Sequence, residues 1–269
     1  MRRLTALAFA AVVASASVQA DTNDALRAAV DHPGRTADER ARDVHRHPYE
    51  TLEFFGIRPD MTVVELYPGG GWYSAVLAPY LSANGRLVAA HFNLDRENPP
   101  AYYKRSYDSY EARFVKSGDY GDIELIAFDP PELARLGEPG SADAVLTFRN
   151  IHTWMGDGQL DAVFRAAYEV LKEGGVFGVV GHRLPEDREQ DPAASTGYVK
   201  ESVVIEAAER AGFTLAARSE INANPRDDHD HPNGVWTLPP SLNVPAGESA
   251  DDYRAIGESD RFTLKFVKN

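Results

Sequence analysis

The pattern that most restricts this chain is the alternation, from residue 61 onward, of short apolar runs with segments at helical spacing. Met61–Leu66, Arg86–Ala90, Ile123–Phe128, Ala142–Thr147 and Val176–Val180 read as buried strands. Trp72–Leu81 and Asp157–Lys172 carry helical spacing, the second with Leu160, Phe164, Ala167 and Leu171 inward and Asp157 as its cap. Residues 101–116 place Tyr103, Tyr107, Tyr110 and Phe114 on one face of a helix, the pattern of a core stripe. Pro130–Gly137 reads as a short turn or helix. A last helix over about Tyr198–Ala211 ends at Gly212, and strands carrying Phe213 to Ile221 and Phe262 to Phe266 follow without a helix between them. Strands that alternate with helices make a mainly parallel sheet covered on both faces. Ahead of the sheet, the capping box Thr36-Ala37-Asp38-Glu39 and Pro48 open helices of an N-terminal extension.

Charge and composition narrow the partners. The 269 residues carry 28 Lys+Arg against 41 Asp+Glu, a formal net charge of -13, which disfavours phosphate backbones and anionic membranes. There is no cysteine, so disulfides, thiolate zinc sites and thiol nucleophiles are excluded. Residues 1–20 read as a cleavable secretory signal: Arg2 and Arg3, the apolar run Leu4–Val13, then Val18-Gln19-Ala20. The competing reading is a buried N-terminal helix. The apolar run is too short for a permanent anchor, so residues 21–269 are expected as one domain without a stable membrane anchor, periplasmic or secreted.

Ligands of such a sheet sit beyond the carboxyl ends of its strands. The first strand, Val63-Val64-Glu65-Leu66-Tyr67, runs into Pro68-Gly69-Gly70-Gly71 and then a helix. Glycine there permits a tight turn and close approach of a ligand to the backbone. The dinucleotide fingerprint is incomplete, because Ser74 stands where the third glycine belongs, and this disfavours a nicotinamide oxidoreductase. Trp72 and Tyr73 crowd the helix start that would receive a diphosphate, whereas Glu65 suits a cationic ligand.

Val63–Ser74 resembles motif I of class I S-adenosylmethionine-dependent methyltransferases. Ser141-Ala142-Asp143-Ala144-Val145-Leu146 and Leu171-Lys172-Glu173-Gly174-Gly175-Val176 are similar to the fourth-strand and fifth-strand motifs of that superfamily. Arg46-His47-Pro48, Glu65–Gly71 and Phe148-Arg149-Asn150-Ile151-His152 resemble a group of exported predicted methyltransferases. The resemblance implies a Rossmann-like α/β fold: a seven-stranded mixed sheet, mostly parallel with a final antiparallel strand. It also implies S-adenosylmethionine as cofactor, held at Glu65, Pro68, Gly69, Gly70 and Gly71, with Glu65, Gly69 and Gly71 around its methionine part. Asp129 matches the acid that meets the adenine amino group, with Phe128 beside it to pack on the ring. At the ribose position the chain departs from the pattern, offering His91 and Asn93 in place of a carboxylate.

Arg149, Asn150, His152 and Trp154 follow the fourth strand, where the transferred methyl would point. His152 is the candidate base, since imidazole titrates near neutral pH, unless it caps the next helix or packs in the core. Asn150 is placed to hold the cofactor amino group or the acceptor, Trp154 to wall the pocket, and His182 and Arg183 are weaker candidates for the acceptor. Asp227-Asp228-His229-Asp230-His231 is the one metal-like cluster; a polar surface loop accounts for it as simply, and no metal is assigned. The irregular segment 222–259 is long enough to suggest a lid, with Trp236-Thr237-Leu238-Pro239-Pro240 as its apolar contact. The expectation is an exported methyltransferase acting on a small-molecule substrate, with its oligomeric state unknown. The rival is a noncatalytic periplasmic small-molecule-binding protein that keeps the fold.

Overall fold

The computed structural model describes residues 22–269; the expected signal over 1–20 lies outside them. Seven strands form one sheet in the order β3-β2-β1-β4-β5-β7-β6. They are β1 (Thr62–Leu66), β2 (Arg86–Phe92), β3 (Ile123–Phe128), β4 (Ala142–Phe148), β5 (Leu171–His182), β6 (Phe213–Ser219) and β7 (Arg261–Lys268). The pairs β1·β2, β1·β4, β2·β3 and β4·β5 are parallel, and β7 lies antiparallel between β5 and β6. This is the expected mixed sheet. Among the described residues, no helix is long and apolar enough to cross a membrane.

Continuous apolar runs form the central strands because both sheet faces are covered. Successive side chains point to opposite faces. Val64, Leu66, Val145 and Phe177 therefore enter one core, while Val63, Ala144 and Leu146 enter the other. Glu65 shares the face of Val63. There it meets α5 (Ser74–Leu81), which starts just past the glycine loop.

The N-terminal extension consists of α1 (residues 22–30), α2 (Ala37–Ala41), α3 (Asp43–Arg46) and α4 (Pro48–Phe55). Thr36 and Glu39 make the predicted reciprocal cap on α2. The aromatic stripe lies on α6 (Ala101–Tyr110) and on a π-helical turn, Glu111–Val115, that continues it. That wider turn seats Phe114 beneath the glycine loop. A Cβ on Gly71, whose φ is +80°, would lie 2.1 Å from the Phe114 ring.

Two local expectations are corrected. Asp157 does not start the helix after β4; it closes α7 (Ile151–Gly156), and α8 (Leu160–Val170) is entered from Gln159. Leu171 is not helical either, because it pairs with Ala142 and opens β5. The remaining helices are α9 (Glu201–Ala211) and α10 (Ala250–Ile256).

Candidate active site

The carboxyl ends of β1, β4 and β5 open into a cavity of about 580 Å³, within the range of small-molecule sites. One wall is the glycine loop, through Pro68, Gly69 and Gly70. Gly69 has φ +59° and Gly70 has no atom within 4 Å of where a Cβ would be, so the backbone is open to a ligand. Gly71 faces Phe114 instead and does not reach the cavity. At the base of the loop Glu65 accepts a hydrogen bond from Ser74 Oγ at 2.5 Å. Burial, only partly offset by that bond, raises its carboxyl to about 7. The group is therefore poised to change charge near neutrality.

Asn150 ties the ends of two strands together. Its Nδ2 donates to the carbonyls of Leu66 (3.0 Å) and Tyr67 (3.3 Å) and to Thr147 Oγ1 (3.1 Å). The side chain also lines the cavity, and Tyr67 and Arg149, the residues that directly follow β1 and β4, have left-handed φ values of 47° and 67°. Non-glycine residues in that region gather at functional sites.

His91 does not reach the cavity. It is fully buried, its Nδ1 accepts from the Phe92 amide, and its Nε2 faces the Gly69 carbonyl at 3.0 Å. The amide fixes the proton on Nε2, so that nitrogen donates to Gly69 and holds the loop from behind. Burial pushes its titration down to about 4, keeping the ring neutral. Phe128 is likewise fully buried, and its carbonyl accepts from Tyr67 Oη. Asp129 is held by Gln159 Nε2 (3.2 Å), Arg96 (3.4 Å) and Asn93 Nδ2 (3.4 Å), outside the cavity lining. The four residues expected at the adenosine part thus brace the loop or one another, while Phe92, Tyr102 and Ser106 form the cavity wall on that side.

Past β4, His152 and Arg149 do line the cavity, but Trp154 is fully buried in the core against Tyr67 and does not. Burial first, and then the Arg149 charge, push His152 down to about 4. Its ring is therefore neutral at physiological pH but a weaker base than the near-neutral group expected. His182, at the end of β5, sits 5.5 Å from His152 between ring centres and contacts Ser259 Oγ at 2.5 Å. Arg183 turns away to Glu220, Asp260 and Glu201.

Sequence reasoning missed the cationic side of the cavity. Arg42 and Arg46 from the N-terminal extension and Arg261 from the start of β7 join Arg149 in its wall. The available signal was the four-residue spacing of Arg42 and Arg46, about one helical turn, with Arg46 in the Arg46-His47-Pro48 motif. Arg46 is 2% exposed, lies 4.7 Å over the Trp72 ring, and donates from Nε to Glu258 at 3.0 Å. Arg42 Nε reaches the same carboxylate at 2.6 Å, and Arg261 Nη2 donates to it as well.

The long segment between β6 and β7 closes the remaining side, with Trp236, Pro239 and Pro240 in the cavity wall and Trp236 packed edge-on against His152. Asp227 organises this segment from a buried position. It accepts from Tyr198 Oη, from the Asp260 and His229 amides, and contacts His231 Nε2 at 2.9 Å. Asp227, Asp228 and His231 are grouped closely enough to ligate an ion, yet these protein donors already occupy Asp227.

No family model and no curated protein matches the sequence. Solved structures do match the fold. A SAM-dependent methyltransferase from Aquifex aeolicus superposes with a TM-score of 0.56 at 13% identity, covering 85% of this chain and 93% of the other. A putative sarcosine dimethylglycine methyltransferase from Galdieria sulphuraria gives 0.56 at 12% identity, covering 89% and 90%. The cyclase SpnF gives 0.55 at 14% identity, covering 83% and 80%. The chain therefore has the Rossmann-like fold found in class I methyltransferases.

Proposed function

We propose that this protein is an exported methyltransferase that moves a methyl group from S-adenosylmethionine to a small-molecule acceptor. The observation that carries the reading is the open backbone at Gly69 and Gly70 above the buried Glu65, on a fold shared with SAM-dependent methyltransferases. The donor is a cation with an ammonium, a carboxylate and a sulfonium. The residues present fit its amino-acid part: Glu65 supplies negative charge, the bared loop admits close approach, and the Asn150 Oδ1 has no protein partner among the described residues. On the adenosine side Tyr102 offers an exposed aromatic ring, backed by Phe92, which is itself stacked on Tyr103, while Asp129 is already engaged. Export is supported by Arg2-Arg3, the apolar run and the small residues that follow.

When bound, the sulfonium supplies an activated methyl that leaves in an in-line displacement without protonation of the leaving group. What the chain contributes is placement, which can supply roughly 7–11 kcal/mol of the barrier. Pro68–Gly70 hold the donor, Asn150 fixes the angle between the β1 and β4 ends, and Trp236 with Pro239 excludes water from the acceptor side. His152, neutral and facing the cavity, accepts a proton from an acceptor that arrives protonated.

The second reading, a noncatalytic binding protein that keeps the fold and has traded the donor for another ligand, is favoured by the engagement of Asp129. Calorimetric titration with S-adenosylmethionine and S-adenosylhomocysteine separates the two. Saturable binding of both, lost in Gly69→Val because a β-branched residue cannot hold φ +59°, is the expected result. Failure of both ligands to bind the unmutated protein would end the methyltransferase reading.

A further inference from the structure

Four arginines, Arg42, Arg46, Arg149 and Arg261, line one cavity in a protein whose overall formal charge is -13. One carboxylate answers them. Glu258 receives Arg42, Arg46 and Arg261, and it sits behind the arginines and does not reach the cavity. The other acids of the cavity are committed elsewhere: Glu39 to Arg113 at 2.6 Å and Glu65 to Ser74 at 2.5 Å. Three positive charges are therefore unmatched within one wall.

The unmet hydrogen-bonding capacity points the same way. Both terminal nitrogens of Arg46 are buried without a partner, as are Arg42 Nη2 and Arg261 Nε. Arg149 makes no side-chain hydrogen bond among the described residues, although it is half-buried and is held in a left-handed backbone conformation. Buried donors are satisfied in native proteins by protein, water or ligand, and an uncompensated buried cation is costly. Guanidinium groups match the planar or tetrahedral oxygens of carboxylate and phosphate. The cluster also lies at the ends of β4, β5 and β7, on the far side of β1 from β2 and β3, and the Trp236 segment adjoins it.

We propose that Arg42, Arg46, Arg149 and Arg261 form an oxyanion site for the acceptor, so that the substrate is a small molecule bearing a carboxylate or phosphate group. This rests on the methyltransferase reading for the word acceptor, but the anion site itself does not. The donor has a carboxylate of its own; that single charge would leave two of the three unmatched.

The test is calorimetric titration of inorganic phosphate, and separately of malonate, into protein saturated with S-adenosylhomocysteine. Binding of either is expected, and the preferred one distinguishes phosphate from carboxylate. Arg149→Gln and Arg42→Gln should each weaken that binding about tenfold or more. Arg149→Lys should recover part of it, and S-adenosylhomocysteine affinity should stay within about twofold in all three. Arg42 is a quarter exposed, so its variant folds even where a change at Arg149 does not. The proposal is overturned if neither anion binds, or if binding survives both Gln variants. It is also overturned if the anions compete with S-adenosylhomocysteine but not with 5′-methylthioadenosine, which lacks the carboxylate; the cluster would then serve the donor. If S-adenosylhomocysteine fails to bind while an arginine-dependent anion still does, the methyltransferase reading falls and the anion site stands.

Discussion

His91 donates from Nε2 to the carbonyl of Gly69 at 3.0 Å, and this one bond fixes the backbone that bares itself to the cavity. His91→Leu removes the donor and strands a buried carbonyl, at a cost of about 1–3 kcal/mol. The expected readout is weaker S-adenosylhomocysteine binding with the sheet intact by circular dichroism. The same ring makes stability depend on acid. Folded, it titrates at about 4; unfolded, near 6.5. The unfolded chain therefore takes up the proton first, and stability falls as pH drops from about 6.5 to about 4, by up to roughly 3 kcal/mol. Urea midpoints across that range should show it, with a shallower slope in His91→Leu.

Glu65 sets a second pH dependence, in ligand binding. With its carboxyl raised to about 7, it is neutral below that pH and negative above it. Affinity for the cationic donor should therefore rise between about pH 6 and pH 8 and should be flat across that range in Glu65→Gln. Uptake of protons on donor binding, instead of release, would contradict this.

Gly71 and Gly69 should respond differently to alanine. At Gly71 the new Cβ strikes the Phe114 ring at 2.1 Å on a backbone with φ +80°, so overpacking and strain together cost about 3 kcal/mol. At Gly69 the nearest atom would be 3.9 Å away, leaving only the backbone penalty of about 1 kcal/mol. Chemical denaturation should separate the two, and Phe114→Ala should partly rescue Gly71→Ala but not Gly69→Ala.

Glu258→Gln leaves the surrounding guanidinium groups without their carboxylate. Removing one partner from a buried ion cluster costs about 3–5 kcal/mol. The Arg261, Arg46, Arg149 and Arg42 charges outweigh burial and hold this carboxyl far below its ordinary 4.5. Its contribution is therefore complete above about pH 4.5 and is lost as pH falls further. Thermal melts at neutral pH and near pH 4 should show the variant destabilised at both, with the wild type losing stability below that range.

Asp227→Asn replaces with a donor one of the two carboxylate oxygens that accept from Tyr198, His229, His231 and the Asp260 amide, and removes the negative charge. Deuterium uptake should accelerate over residues 222–259 while β1 and β4 stay protected. Addition of S-adenosylhomocysteine to the unmutated protein should slow uptake in the same segment. Chelator treatment should leave both patterns unchanged, because protein donors satisfy Asp227.

The strands were legible because a sheet covered on both faces requires unbroken apolar runs, and Val63–Leu66 or Ala142–Thr147 satisfy little else. Glu65, the glycine loop, Arg149, Asn150 and His152 were legible because they lie at strand ends, which the topology gathers at one edge. The direction of a side chain was not. His91 and Asn93 stand where the ribose contact was expected, yet the pleat turns His91 beneath the loop and Asn93 toward Asp129. The arginine wall was hidden because its members are spread over more than 200 residues of chain and meet only when α3 packs on Trp72 and β7 lies beside β5.

The reversal of β7 also bears on how this molecule can diversify. Ser219, the last residue of β6, is in register with Thr263 near the start of β7, so the intervening stretch leaves and rejoins the sheet at a single rim. Between its buried anchors, Asp227 and Glu258, such a stretch behaves as a cassette that can lengthen or shorten without shifting any strand. On the proposed function, selectivity for the acceptor would then drift with that stretch while the scaffold beneath stays unaltered.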